Sequence, residues 1–283
     1  IEARHGCFPC TDRRGDQRLH GLGSMAIIGY GTLGAEELAY GSDLDIVFLF
    51  EPTGKQSDGK RPLPPEQYYA RLAQRVLSFL TVMTPSGRLY EVDTRLRPNG
   101  RAGSLVSSIA AFGAYQLEQA WTWELQALTR ARFIAGSPAL EAHFNRIRQE
   151  VLCLDRDEEA LTAELLEMRQ RMRKEQAAKP GGRLTDSPKH DPGGLIDIEF
   201  IAQLGVLANA RLYPRVIRAT GTGAQINELA SIGWLSREEA QKLLKTMSAL
   251  RHHKLMAALI RDHPENCSGM RESAAIFQTR VGG

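Results

Sequence analysis

Apolar positions along the chain change their period near residue 103. Before it the apolar runs are short. Met25-Ala26-Ile27-Ile28 reads as a strand, and Ile46-Val47-Phe48-Leu49-Phe50, rich in β-branched and aromatic residues, reads as a buried one. Between Gln67 and Val82 the residues Leu72, Val76, Phe79 and Leu80 recur at the spacing of a helix packed on a sheet. Pro85-Ser86-Gly87 then turns the chain into a strand from Leu89 to Pro98. After Pro98-Asn99-Gly100 the pattern becomes helical, with helices expected at about 108–134, 138–152, 157–178, 195–211, 223–231 and 236–260. Leu161, Leu165, Met168 and Met172 make a stripe suited to core packing. The expected architecture is α+β: an N-terminal arm of little order over 1–24, a mixed-sheet domain over 25–103, and an all-α helical bundle over 104–283 interrupted by a Pro/Gly-rich connector at 179–194.

The candidate chemistry lies where Leu33-Gly34-Ala35 to Ser42-Asp43-Leu44-Asp45 feeds the buried strand. Side chains two apart in a strand share a face, so Asp43 and Asp45 project together while Leu44 turns away. Two bare carboxylates there repel. Divalent cations between them remove the conflict, and two oxygen-liking ions about 3.5–4 Å apart clamp the attacking and leaving oxygens of a phosphoryl-type displacement. Asp93 is the candidate third acid. Alternation in its strand puts Asp93, Arg95 and Arg97 on one face, where arginines grip a triphosphate through forked hydrogen bonds or neutralise the acids.

A rival reading starts from Gly29-Tyr30-Gly31-Thr32-Leu33-Gly34, a formal G-x-G-x-x-G with Glu51 about twenty residues on. A dinucleotide fold needs a crossover of a dozen or more residues between parallel strands. Only about eight residues separate Gly34 from the next strand, and Gly41-Ser42 interrupts any helix among them. The turn can still cradle phosphate.

The stretches Tyr40-Gly41-Ser42-Asp43-Leu44-Asp45, Leu89 to Pro98, Ala120-Trp121-Thr122-Trp123-Glu124, Gln126-Ala127-Leu128 with Arg130-Ala131-Arg132, and Gly193-Gly194 with Asp197-Ile198-Glu199-Phe200 together resemble the glutamine synthetase adenylyltransferase family, within the polymerase-β-type nucleotidyltransferases. The Trp-Thr-Trp-Glu form is more similar to its C-terminal, adenylylating half. The resemblance implies AMP transfer from ATP, carried by two Mg²⁺ ions, to a tyrosine hydroxyl of glutamine synthetase, with Asp43, Asp45 and Asp93 as catalytic and metal-holding residues. Gly34, Ala35, Ser42, Arg95, Arg97 and Lys189 are then the nucleotide-binding candidates. The PII signal protein and glutamine follow as regulators. Phosphorolytic removal of AMP and an impaired nucleotide-binding regulator are the alternatives. Two departures stand out: Thr32 occupies the place of a usual lysine, and Ala35 that of Gly or Ser, which strains the turn if the position needs positive φ.

Composition changes little. In 283 residues, 24% are charged and 42% hydrophobic, so the chain can bury a substantial core. A net charge of +3 gives no basic stripe for nucleic acid or membrane. Four scattered cysteines and no apolar run of membrane length fit a cytoplasmic enzyme, and the lone Cys7/Cys10 pair beside His5 reads as incidental. One of Trp121 and Trp123 is expected in the core. Glu124, Arg130 and Arg132 either shape the cleft wall or form a solvated ion-pair face. Asp197 and Glu199, two apart on a helix, do not face each other and make no joint metal site. His252-His253 reads as a helix surface pair.

Overall fold

A computed structural model of the chain describes residues 2–5, 9–11, 17–19, 25–52, 54, 56–85, 87–178, 187–259, 275–276 and 279–280. Cys7 and residues 179–186 of the expected connector lie outside them. The elements are α1 (Glu2–His5), β1 (Pro9–Thr11), β2 (Gln17–Leu19), β3 (Met25–Gly29), α2 (Gly31–Gly34), β4 (Leu44–Phe50), α3 (Pro65–Leu80), β5 (Met83–Thr84), β6 (Gly87–Arg88), β7 (Val92–Asp93), β8 (Val106–Ser108), α4 (Ile109–Glu118), α5 (Thr122–Thr129), β9 (Arg132–Gly136), α6 (Pro138–Leu152), α7 (Glu158–Ala178), α8 (Leu195–Asn209), α9 (Thr222–Ser231) and α10 (Arg237–Leu259). They fall into two compact units: Ile1–Ala120 with Arg130–Val151, and Trp121–Thr129 with Leu152–Gly283.

In the first unit β4 is the central strand of a mixed five-stranded sheet. One side pairs antiparallel with β3, which in turn pairs antiparallel with β9. The other side is shared by two short parallel strands, β7 against Leu44–Asp45 and β8 against Phe48–Phe50. Because β3 and β4 are antiparallel and α2 has four residues, the crossover that a dinucleotide fold requires is absent between them.

Helix α3 begins with Pro65 in its first turn and Glu66 beside it, both suited to a helix N-terminus. Its Tyr68, Tyr69 and Ala73 bury against Leu44, Ile46, Phe48 and Phe50, with Leu72, Val76 and Leu80 flanking. The stripe passes Phe79 by, leaving it 77% exposed. Alternation along β4 therefore gives one face to α3 and the opposite face to Asp45, Val47 and Leu49.

The break expected near residue 103 falls inside the first unit, because β8, α4, β9 and α6 lie beyond it. The single helix expected over 108–134 is two helices and a strand. Residues 132–136 pair with β3 and supply the far edge of the sheet, a long-range partnership that a helical period cannot reveal. At the described residues of the expected N-terminal arm, His5 is buried, with Nδ1 2.8 Å from the Arg61 carbonyl oxygen.

The second unit is helical. Helix α8 buries most of its residues and touches α5, α7, α9 and α10, the position that a sequence apolar on every side requires. Within it Asp197 is fully buried. Its Oδ1 accepts from Arg169 Nε at 2.6 Å, and its Oδ2 from Arg173 Nη2 at 2.8 Å and the Gly193 N–H at 2.7 Å. Arg169 also donates to the His190 carbonyl at 2.7 Å, so the segment before α8 is tied to α7 through one carboxylate. A buried charge without partners is costly, and here each partner is present. Asp197→Asn leaves Arg169 buried without its counter-charge and is expected to cost about 3–5 kcal/mol, read as an earlier unfolding transition by calorimetry. An unchanged transition would show that the carboxylate is dispensable.

Candidate active site

Parallel pairing of β4 with β7 sets Asp45 directly opposite Asp93. Asp45 is half-buried on the strand, and Asp43 is exposed just before it, after a turn closed by the Ala39 N–H donating to Ser42 Oγ at 3.0 Å. Burial first, then the charges of Asp93 and Asp43, push the Asp45 carboxyl up to about 6, against the pull of Arg130 and Arg95. This is an acidic cleft with unbalanced charge, and its donors are carboxylate oxygens, the kind that magnesium prefers.

Asp93 answers part of that charge itself. The Arg95 N–H donates to its Oδ1 at 2.8 Å and Arg95 Nε to its Oδ2 at 2.6 Å, while Nη2 completes an ion pair. The hydrogen bond from Arg95 holds the Asp93 carboxyl below its usual range. Among the described residues no three acidic, His or Cys side chains converge closely enough to hold an ion. Asp93 turns to Arg95 instead. The expected single face of Asp93, Arg95 and Arg97 does not form, because the strand ends at Asp93 and the chain turns. Arg97 donates to Thr94 O and Oγ1 at 2.7 and 2.8 Å and to Gly103 O at 3.3 Å, fastening the loop that carries Arg95.

The glycine turn packs against this cleft. Gly31 has φ +52, and a Cβ there would lie 2.2 Å from Asp45 Oδ2. A Cβ on Gly34 would meet the Arg130 carbonyl at 2.1 Å, so this glycine is required by close backbone approach. Ala35 has φ −78 and ψ −6, an ordinary helical conformation, and the strain considered for it is absent; Glu36 takes the positive φ of 60. The N–H groups of Gly34 and Ala35 are spent inside the turn, on Tyr30 O and Gly31 O at 2.8 and 3.1 Å. Those of Gly31, Thr32 and Leu33, at the start of α2, are the ones left for an anion.

Two arginines of the Arg130–Arg132 stretch clamp this turn. Arg130 forms a buried ion pair with Glu37 at 2.8 Å, and Arg132 donates to Gly34 O at 3.1 Å and Leu33 O at 3.3 Å. The sequence offered these arginines beside Glu124, but Glu124 belongs to the second unit, where it is buried and accepts from the Trp121 N–H. Arg130 and Glu37 are 93 positions apart, so no local pattern could pair them. Trp121 and Trp123 are 70% and 42% exposed, and neither is core. Lys189 lies exposed in the second unit, before α8.

A sequence model of glutamate-ammonia ligase adenylyltransferase matches residues 3–147, which include Asp43, Asp45, Asp93, Arg95, Arg130 and Arg132. The chain belongs to the glutamate-ammonia ligase adenylyltransferase family. A second model, PII-uridylyltransferase, matches residues 159–266. The chain is 47% identical over 232 residues to a bifunctional glutamine synthetase adenylyltransferase/adenylyl-removing enzyme of Xanthomonas campestris, covering 80% of this chain and 24% of that protein. Relatives of the same name from Stenotrophomonas maltophilia and Methylococcus capsulatus are 48% and 44% identical, over 78% and 85% of this chain and 24% and 25% of theirs. The chain thus spans about a quarter of the length of these curated relatives.

For this family member the raised Asp45 carboxyl has a measurable cost. The folded state holds the Asp45 proton more tightly than an ordinary aspartate near 3.8, so stability is lost as pH rises from about 3.8 to about 6 and the penalty is complete above it. Asp45→Asn removes the penalty. In cation-free buffer at pH 7 the variant should gain about 1–2 kcal/mol, after allowing for solvent in the cleft, and the gain should vanish below pH 4. A variant less stable than wild type at pH 7 would contradict this account. Ala35→Gly, at a helical φ, should leave catalysis within about twofold and cost about 0.5–1 kcal/mol of stability; a tenfold fall in turnover would place Ala35 in direct contact with the reaction.

Proposed function

We propose that the chain carries the centre that transfers AMP from ATP to a tyrosine hydroxyl of glutamine synthetase, releasing pyrophosphate. The observation that supports this most is the register of Asp45 against Asp93, with Asp43 two residues before, beside a glycine turn whose first N–H groups start a helix and so lack a preceding helical carbonyl. Asp43, Asp45 and Asp93 would hold two Mg²⁺ ions, which when bound neutralise the carboxylates and the triphosphate and polarise the reacting phosphoryl group.

The chain's own residues do the rest. The turn of Gly31, Thr32 and Leu33 receives phosphate oxygens, and Gly34, Ala35 and Ser42 fix its shape and the entry to Asp43. Arg97 holds the loop so that Arg95, once it leaves Asp93, faces the phosphates. Lys189 is the further phosphate contact that the family resemblance implies. A tyrosine hydroxyl has a pKa near 10 and is a weak nucleophile at neutral pH. Asp93, freed from Arg95, takes its proton as the oxygen attacks the α-phosphorus and the bond to pyrophosphate breaks.

Phosphorolytic removal of AMP is the second reading, favoured by the name of the relatives, which joins both activities. Regulation by the PII signal protein and glutamine, and a cytoplasmic setting, belong to the same proposal. No helix of the described residues is long and apolar enough to cross a membrane. Incubation with radiolabelled ATP, Mg²⁺ and glutamine synthetase should label one tyrosine of the acceptor, whereas release of label from modified acceptor by phosphate alone would establish the reverse direction.

Asp93→Asn separates the roles of the acids. It should cut transfer by at least about 10², the lower range for losing a positioned base, while Mg²⁺-ATP affinity by equilibrium titration stays within a few-fold because Arg95 is released toward the phosphates. Loss of ATP binding in this variant would assign Asp93 to the nucleotide instead.

A further inference from the structure

A second concavity of about 580 Å³ lies between α1 and the outer face of α3, lined by Arg4, His5, Arg71, Gln74, Arg75 and Ser78. The four α3 residues recur at i, i+3, i+4 and i+7, so they form one stripe of the helix. The opposite stripe, Tyr68, Tyr69 and Ala73, is buried on the sheet. Asp45 projects from the far face of that sheet, so helix and sheet separate this concavity from the acidic cleft.

Three features make it a built site. Among the described residues its lining carries three guanidinium groups and no carboxylate, and none of the three arginines is paired with an acid there. Its volume falls in the range of small-molecule sites, whereas its polar lining suits a charged ligand rather than an apolar one. His5, 6% exposed, is fixed by donating Nδ1–H to the Arg61 carbonyl, which leaves Nε2 as the acceptor of Arg71 Nη1 at 3.1 Å. An acceptor with no charge thus aims the Arg71 guanidinium without neutralising it. Guanidinium forks match planar or tetrahedral oxyanions bidentately.

We infer that the α1–α3 concavity binds a compact oxyanion of two or more negative charges, with Arg71 and Arg75 as its principal contacts. The site is independent of AMP transfer. With a chelator present the acidic cleft repels anions, so titration calorimetry of the chain with tripolyphosphate under those conditions reads this concavity alone. Saturable one-to-one binding is expected, weakened at least tenfold in the folded double variant Arg71→Gln/Arg75→Gln and a few-fold in His5→Gln. Citrate in place of tripolyphosphate distinguishes the source: equal affinity assigns recognition to charge and forked geometry, and preference for tripolyphosphate assigns it to phosphate. Both outcomes support the site. Absence of saturable binding, or affinity unchanged in the single variant Arg75→Gln and in the double variant, would overturn it.

Discussion

Repulsion among Asp43, Asp45 and Asp93 is the constraint on which the first unit turns. Parallel pairing of β4 and β7 places two of these carboxylates opposite each other, and burial of Asp45 removes the water that would screen them. The protein resolves part of this conflict itself. Arg95 closes on Asp93, and Arg130 lends a positive field to Asp45 from behind the turn. The remainder is left unresolved, and an unresolved negative field in a cleft is one that divalent cations neutralise.

Arg95 and Arg130 serve this field in different ways. Arg95 is exposed and paired with Asp93, on a loop that Arg97 fastens to carbonyl groups. Arg130 is buried with Glu37, and removing either would strand a charge. The first is an exposed counter-ion and the second a buried one. Arg132 adds hydrogen bonds to the carbonyls of Leu33 and Gly34, so the strand at the far edge of the sheet anchors the turn beside the acids.

The second unit uses the same physics for an opposite purpose. Asp197 is buried with both oxygens satisfied by Arg169, Arg173 and the Gly193 N–H, leaving no lone pair set for an ion. The aspartate of the Gly-Gly-x-x-Asp-x-Glu segment is a tie between helices. Asp45 and Asp197 differ in whether their charge is answered by the chain.

Much of the first unit was legible without coordinates, because its signals are local. The buried strand, the carboxylates two apart and the short interval before them define which face carries the acids, and the same interval excludes a dinucleotide crossover. Helices α3, α6, α7, α8, α9 and α10 follow from apolar period and caps within a few residues. The family itself is carried by motifs that survive as strings. What the sequence could not decide depends on partners far apart in it. Residues 132–136 become a strand only because β3 offers an edge, and the pairs Arg130–Glu37 and Arg169–Asp197 join positions that no helical or strand period relates. The conformation of Ala35 and the positive φ of Glu36 are set by how the turn packs under Arg132, not by either residue's own preference. Local chemistry fixed which groups the cleft contains; tertiary packing alone decided which of them are answered by a counter-charge and which are not.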